Sequence, residues 1–213
     1  MNFEQLLHLV DNEPVFETGL LLAGEVDPHH VRRQLSRWVR AGKIYQLRRG
    51  LYALAPPFQK VKPHPFVIAN RMVRGSYVSL QSALAYYNMI PEMVPVTTSV
   101  TTARPGRWET PLGIYVFRHI KTRLFFGYGA HTVSPGQRAF VATPEKALLD
   151  LVHLQPGGDR PAYLNELRLQ NLNRLDLDSL QRMAEQTGSN KLRRVAVYVT
   201  EQARVEAEEY ELL

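Results

Sequence analysis

The sequence contains no cysteine among its 213 residues. That absence excludes disulfides, thiolate zinc fingers, iron–sulfur ligation and a cysteine nucleophile, and it suits a reducing compartment. No apolar run approaches the ~18 residues that span a bilayer, so no integral membrane protein is expected. The start, Met1-Asn2-Phe3-Glu4, has neither a basic n-region nor an apolar h-region. No secretory leader is expected, and the expected location is cytoplasmic. Catalytic signatures are missing too. There is no P-loop, no strand-linked G-x-G-x-x-G and no G-x-S-x-G elbow. Gly127-Tyr128-Gly129 is a lone G-x-G without a following helix and reads as a turn. The seven histidines are His8, His29, His30, His64, His119, His131 and His153; no two stand four apart and no H-E-x-x-H occurs. Glu145 and Asp150, five apart, share a helix face poorly. Glu145 reads as a complement to a helix N-terminus and Asp150 as a structural hydrogen-bond acceptor. No catalytic residue, metal site or cofactor is assigned, and no enzymatic activity is expected.

What is present is an ordinary globular composition, with 45% hydrophobic and 22% charged residues. The length fits one large domain or two small ones. The net charge of +6 permits a polyanionic partner. Its distribution says more. Pro28 to Gly50 holds Arg32, Arg33, Arg37, Arg40, Lys43, Arg48 and Arg49 and no acid. Glu201 to Leu213 is the reverse, with five glutamates against Arg204. A local excess of this kind is the footprint of a surface that meets phosphates.

The first third patterns as helices followed by a hairpin. Phe3, Leu6, Leu7 and Val10 predict a helix from Asn2 to Val10, broken by Asp11-Asn12-Glu13-Pro14. Leu20, Leu21 and Leu22 belong to a short second helix that stops near Gly24. Asp27-Pro28 is a strong helix start, an N-cap followed by proline at the first helical position. From there Val31, Leu35, Trp38 and Val39 make one apolar stripe, and Arg32, Arg33, Ser36, Arg37 and Arg40 fall on the other side. Ala41-Gly42 ends the helix. Lys43 to Leu54 then reads as a hairpin with an Arg48-Arg49-Gly50 tip.

This is the layout of a winged helix-turn-helix. The helix from Asp27 would enter the major groove by its N-terminal turns. Arg32 and Arg33 would fork onto guanine edges, and His29 and His30 would touch phosphate or base. Arg37 and Arg40, further along, would hold phosphates, with Ser36 and Lys43 also on the DNA-binding surface, and Arg48 and Arg49 would reach the adjacent backbone or minor groove. The alternatives are a solvated helix face, which usually mixes charge signs, or a winged helix that serves as a protein–protein module.

Pro56 to Pro65 is proline-rich and predicts an extended, stiff linker. The expected organisation is α+β: a winged helix-turn-helix at 1–55, a linker at 56–66, and a mixed α/β domain at 67–213 with a helical C-terminal tail. In that second domain Pro65 to Arg74 predicts a helix, and Ser79 is placed to cap another over Leu80 to Asn88. Val94 to Ala103 and Gly113 to Ile120 predict strands joined through Arg104-Pro105-Gly106-Arg107. Further strands are expected at Leu124 to Tyr128 and Arg138 to Val141. Thr143-Pro144-Glu145 opens a helix, and helices follow at Tyr163 to Asn171, Leu177 to Gln186 and Lys191 to about Glu209. Arg104, Arg107, Lys121 and Arg123 form a second basic group, either a nucleic-acid or partner surface or ordinary surface residues.

The order of motifs resembles a known family. A winged-helix start runs into Gly75-Ser76-Tyr77-Val78-Ser79-Leu80-Gln81-Ser82-Ala83-Leu84. A strand pair with Arg-Pro-Gly-Arg between follows, then Ala142-Thr143-Pro144-Glu145-Lys146-Ala147-Leu148-Leu149-Asp150. From about Phe3 to Val152 this is similar to the AbiEi family of antitoxins from bacterial abortive-infection, type IV toxin–antitoxin systems. The resemblance implies a DNA-binding winged helix that represses its own operon; two copies would engage an inverted repeat, because one short helix reads too few bases for genomic specificity. It implies a C-terminal domain that counteracts a nucleotidyltransferase-type toxin without a tight complex. The alternative is a stand-alone winged-helix transcriptional regulator whose second domain senses a ligand or partner.

Overall fold

The computed structural model describes residues 1–23 and 26–211. Its first unit runs α1 (Phe3–Val10), β1 (Phe16–Glu17), α2 (Thr18–Leu21), α3 (Pro28–Arg40), β2 (Ile44–Arg48) and β3 (Leu51–Leu54). Asn2 is the cap of α1: its side chain accepts from the Gln5 amide while the Gln5 side chain accepts from the Asn2 amide, both at 2.8 Å. The expected stop at Gly24 lies outside the described residues. Strand β1 had no sequence signal, being two residues long. It pairs with the outer edge of β3 and gives an antiparallel sheet of order β1-β3-β2.

The middle strand of this small sheet, β3, is buried on both faces. Tyr52 and Leu54 join Phe16 and Ile44 in a core with Leu6, Val10, Val31, Leu35 and Trp38 of the helices. Leu51 and Ala53, on the opposite face of β3, join Leu47 and Val15 in the core of the second unit. Alternation along one strand thus ties two cores together.

The proline-rich stretch does not stand out as a spacer. It turns at residues 56–58, and α4 (Pro65–Met72) begins inside the expected linker. Phe58 packs edge-on against Phe3, with centroids 4.9 Å apart. Lys60 pairs with Asp11 at 2.7 Å. The Gln137 side chain donates to Lys62 O at 3.0 Å and accepts from the His64 amide at 2.8 Å. Tertiary bonds to both units override the extended preference of a proline-rich chain.

The second unit contains β4 (Ser76–Val78), α5 (Leu80–Tyr86), β5 (Val96–Thr101), β6 (Gly106–Thr110), β7 (Gly113–His119), β8 (Tyr128–Ser134), β9 (Gln137–Ala142), α6 (Pro144–Leu154), α7 (Pro161–Glu166), α8 (Leu177–Gln186) and α9 (Asn190–Glu211). Six strands form one sheet of order β6-β7-β5-β4-β9-β8. Its inner pairs β5–β7 and β4–β9 are parallel, β4–β5 is antiparallel, and hairpins close both edges. The molecule is therefore mixed α+β. Proline occupies the first turn of α3, α4, α6 and α7, where its missing N–H costs no helix bond.

Several local expectations are corrected. The Arg104–Arg107 connection contains the start of an extra edge strand, β6. Leu124 to Tyr128 opens with a 3₁₀ turn, Thr122–Leu124, that buries Leu124; the strand starts only at Tyr128. Ser79 does not cap α5 with its side chain. The chain enters α5 through Leu80 in the left-handed region, φ 55°, and the Ser79 hydroxyl donates instead to Asp150 at 2.8 Å. The C-terminal helices are no loose tail: Leu180, Leu192, Val195 and Val199 lie in the main core. No helix among the described residues is long and apolar enough to cross a membrane.

Candidate nucleic-acid interface

Helix α3 has the cap that its sequence specifies. The Asp27 carboxylate accepts from the amides of His29 at 2.9 Å and His30 at 3.3 Å. The bond from His29, first, and that from His30 hold its pKa below the usual carboxylate value. Val31, Leu35 and Trp38 are buried and Val39 half-buried, so the helix is fixed by one face. Trp38 meets Phe3 edge-on at 5.5 Å. The other face is outside: His29, His30, Arg32, Arg33, Ser36, Arg37 and Arg40 are all exposed.

Most of these side chains share a setting. His29, Arg32, Arg33, Ser36, Arg37 and Arg40 line one open concavity. Arg32 and Ser36 also line a second, between α3 and the hairpin, with Gln46, Arg49 and Gly50 on its far side. The α3 face and the hairpin tip thus form one continuous basic surface. Arg32, Arg33, Arg37, Arg40 and Arg49 form no ion pair with any described residue. Such a surface concentrates positive potential and attracts polyanions.

Two expected members stand apart. Lys43 is half-buried, its ammonium 4.5 Å over the Phe3 ring. Arg48 points away from α3. Its guanidinium donates to Met72 O and lies 5.2 Å from the Trp108 ring, joining the hairpin to α4 and β6. Sequence reasoning missed this joint and the ion pairs beside it. Arg74 reaches both carboxylate oxygens of Glu17, at 2.9 and 2.7 Å, and Arg71 approaches the same group at 3.9 Å. A backbone carbonyl as partner leaves no mark in a sequence pattern.

The second basic group is exposed. Arg107 pairs with Glu109 at 2.9 Å on β6. Arg104 and Lys121 follow the ends of β5 and β7, which the register Thr101–His119 brings side by side. Arg123 lies in the 3₁₀ turn beyond.

Asp150 is a buried acceptor. Lys146 Nζ, Tyr77 OH at 2.9 Å and Ser79 Oγ at 2.8 Å all donate to it. Burial pushes the Asp150 carboxyl up and the Lys146 ammonium down, while their ion pair opposes both. Removing one partner of such a pair strands a buried charge, so the network locks β4 to α6. Glu145 is buried and accepts from the Asp176 amide at 3.0 Å. Among the described residues no three His, Asp or Glu side chains converge as metal ligands do. A scan against models of known protein families matches none, and a search of curated proteins finds no match.

Proposed function

We propose that the chain is a cytoplasmic antitoxin that binds operator DNA through α3 and the β2–β3 hairpin. By this reading it represses its own operon and counteracts a nucleotidyltransferase-type toxin through residues 67–213. The observation that carries the DNA-binding part is the exposed arginine face of α3, which forms no ion pair with a described acid and merges with the hairpin tip at Arg49. The order helix, strand, helix, helix, hairpin, with β1 on the outer edge of β3, supports a winged helix-turn-helix. In that arrangement α3 lies in the major groove, with Arg32 and Arg33 nearest the bases and Arg37, Arg40 and Arg49 on phosphates. Two copies engage an inverted repeat, because one short helix reads too few base pairs for genomic selectivity. The antitoxin part rests on the family resemblance of residues 3–152.

The test has two arms. The full chain is co-expressed with the product of the neighbouring gene, and growth is scored with the wild type and with Arg32→Glu/Arg33→Glu. The expected outcome is rescue by both, with operator retention in a gel shift by the wild type alone. Rescue by neither removes the antitoxin reading; a gel shift by both removes the assignment of α3.

A further inference from the structure

A second acid-poor stretch follows later in the chain. Between Met93 and Pro144 the only acid is Glu109, which Arg107 already holds. In that stretch the β8–β9 hairpin forms one edge of the large sheet. Alternation sorts β9 onto two faces, with Ala139 and Val141 in the core and Arg138 and Phe140 outside. The register sets Phe140 opposite Ala130, and Tyr128 opposite Ala142 one pair further along the same face. Phe140 is 49% exposed and Tyr128 36%. Single exposed apolar residues are common; two aromatic rings held together on a sheet face beside a cation are less so.

Both rings are held in place. Their centroids lie 6.0 Å apart at 85°. Tyr128 stacks on buried Tyr77 at 4.3 Å and 12°, and the Tyr77 hydroxyl is fixed by Asp150. The backbone of Phe140 is pinned by Asn70, whose carbonyl accepts from its amide at 2.6 Å and whose amide donates to its carbonyl at 3.5 Å. Beside Phe140 a concavity is lined by Ser76 and Arg138, and by Arg71 and Arg74, which Glu17 engages. Rigid aromatic faces next to guanidinium groups suit alternating flat bases and phosphates. A duplex keeps its base faces inside the stack, so this surface fits a ligand different from that of α3.

We propose that the outer face of the β8–β9 hairpin binds an unpaired nucleic-acid strand, with bases stacked on Phe140 and Tyr128 and phosphates met by Arg138. Stacking is tolerant of sequence, so the site selects strandedness rather than a base order.

The test is fluorescence anisotropy on the full chain with labelled ten-nucleotide oligouridine and oligothymidine, an abasic strand of the same length, and a duplex. Both unpaired strands are expected to bind, with the abasic strand about tenfold weaker. Phe140→Ala is expected to weaken strand binding about tenfold and leave duplex binding unchanged, while Phe140→Tyr retains both. Arg32→Gln/Arg33→Gln is expected to do the opposite of Phe140→Ala, which separates this site from the proposed operator surface. Equal affinity for the abasic strand, or strand binding unaffected by Phe140→Ala, overturns the proposal. So does an absence of strand binding accompanied by self-association that Phe140→Glu abolishes, which would make the face an interface between copies.

Discussion

Two sets of arginines in this chain share a residue type and differ in what the fold brings to them. Arg32, Arg33, Arg37 and Arg40 project from α3 and pair with no described acid. Arg48, Arg71 and Arg74 sit where the first unit meets the second and are engaged by Met72 O, Trp108 and Glu17. Arg74 keeps 77% of its side chain exposed, yet its hydrogen bond and ion pair with Glu17 raise its pKa. Being near no acid in sequence is therefore not the same as being near none in space. Glu17 lies outside the acid-free stretch that contains Arg48, and the edge strand β1 carries it to the joint. A cation becomes available to a polyanion only when no element is folded back onto it.

The sharpest way to break this contrast is charge reversal on α3. Arg32→Glu/Arg33→Glu is expected to lower duplex affinity at least about a hundredfold, since each guanine fork is worth about 1–3 kcal/mol. Stability should move by less than about 0.5 kcal/mol, because neither side chain packs; gel shift and thermal melting check the two halves. Next comes the pair of neighbours at the hairpin tip. Arg48→Ala should cost about 1–2 kcal/mol in chemical denaturation, as Met72 O loses its donor and Trp108 its cation, with little change in duplex affinity. Arg49→Ala should do the reverse, weakening the duplex several-fold at constant stability.

A smaller effect is set by pH. His64 caps α4, its Nδ1 accepting from the Phe66 amide at 3.2 Å, and burial holds its pKa below 6.5. Between that depressed value and 6.5 the unfolded chain binds more protons than the folded one, so stability falls as pH drops through this window. His153, lowered chiefly by burial, acts in the same direction. His64→Asn keeps a cap and is expected to flatten the acid limb in melts between pH 7 and 5. The smallest effect is at the joint's surface. Glu17→Gln frees Arg71 and Arg74, costs under about 1 kcal/mol, and should raise non-specific duplex affinity about twofold at low salt.

The parts of the fold legible in the sequence are those with local causes. Helix α3 could be placed from Asp27 to Gly42 because its cap, its proline, its apolar period and its terminal glycine all lie within it. The same holds for α6, where Thr143 accepts from the Lys146 amide as a cap should. Strands β1 and β4 escaped notice because two and three residues are too few to show alternation, and β6 because its first residues read as the Arg104–Arg107 connection. Ser79 was misread as a cap because its competing acceptor, Asp150, comes from a distant helix. At the basic surface the α3 face could be anticipated in full. The detachment of Arg48 could not, since it depends on a carbonyl at position 72 and a ring at position 108. The Phe140–Tyr128 pair was hidden for a similar reason: only the register of β8 on β9 makes them neighbours.

The most direct measurement is the salt dependence of duplex binding by the wild type and by Arg37→Ala/Arg40→Ala, titrated from low to moderate ionic strength. If α3 holds phosphates, each lost contact removes about 0.9 from the slope of log K against log salt. The double substitution should then shallow the slope by about 1.8. Equal slopes for the two proteins would contradict binding through this face.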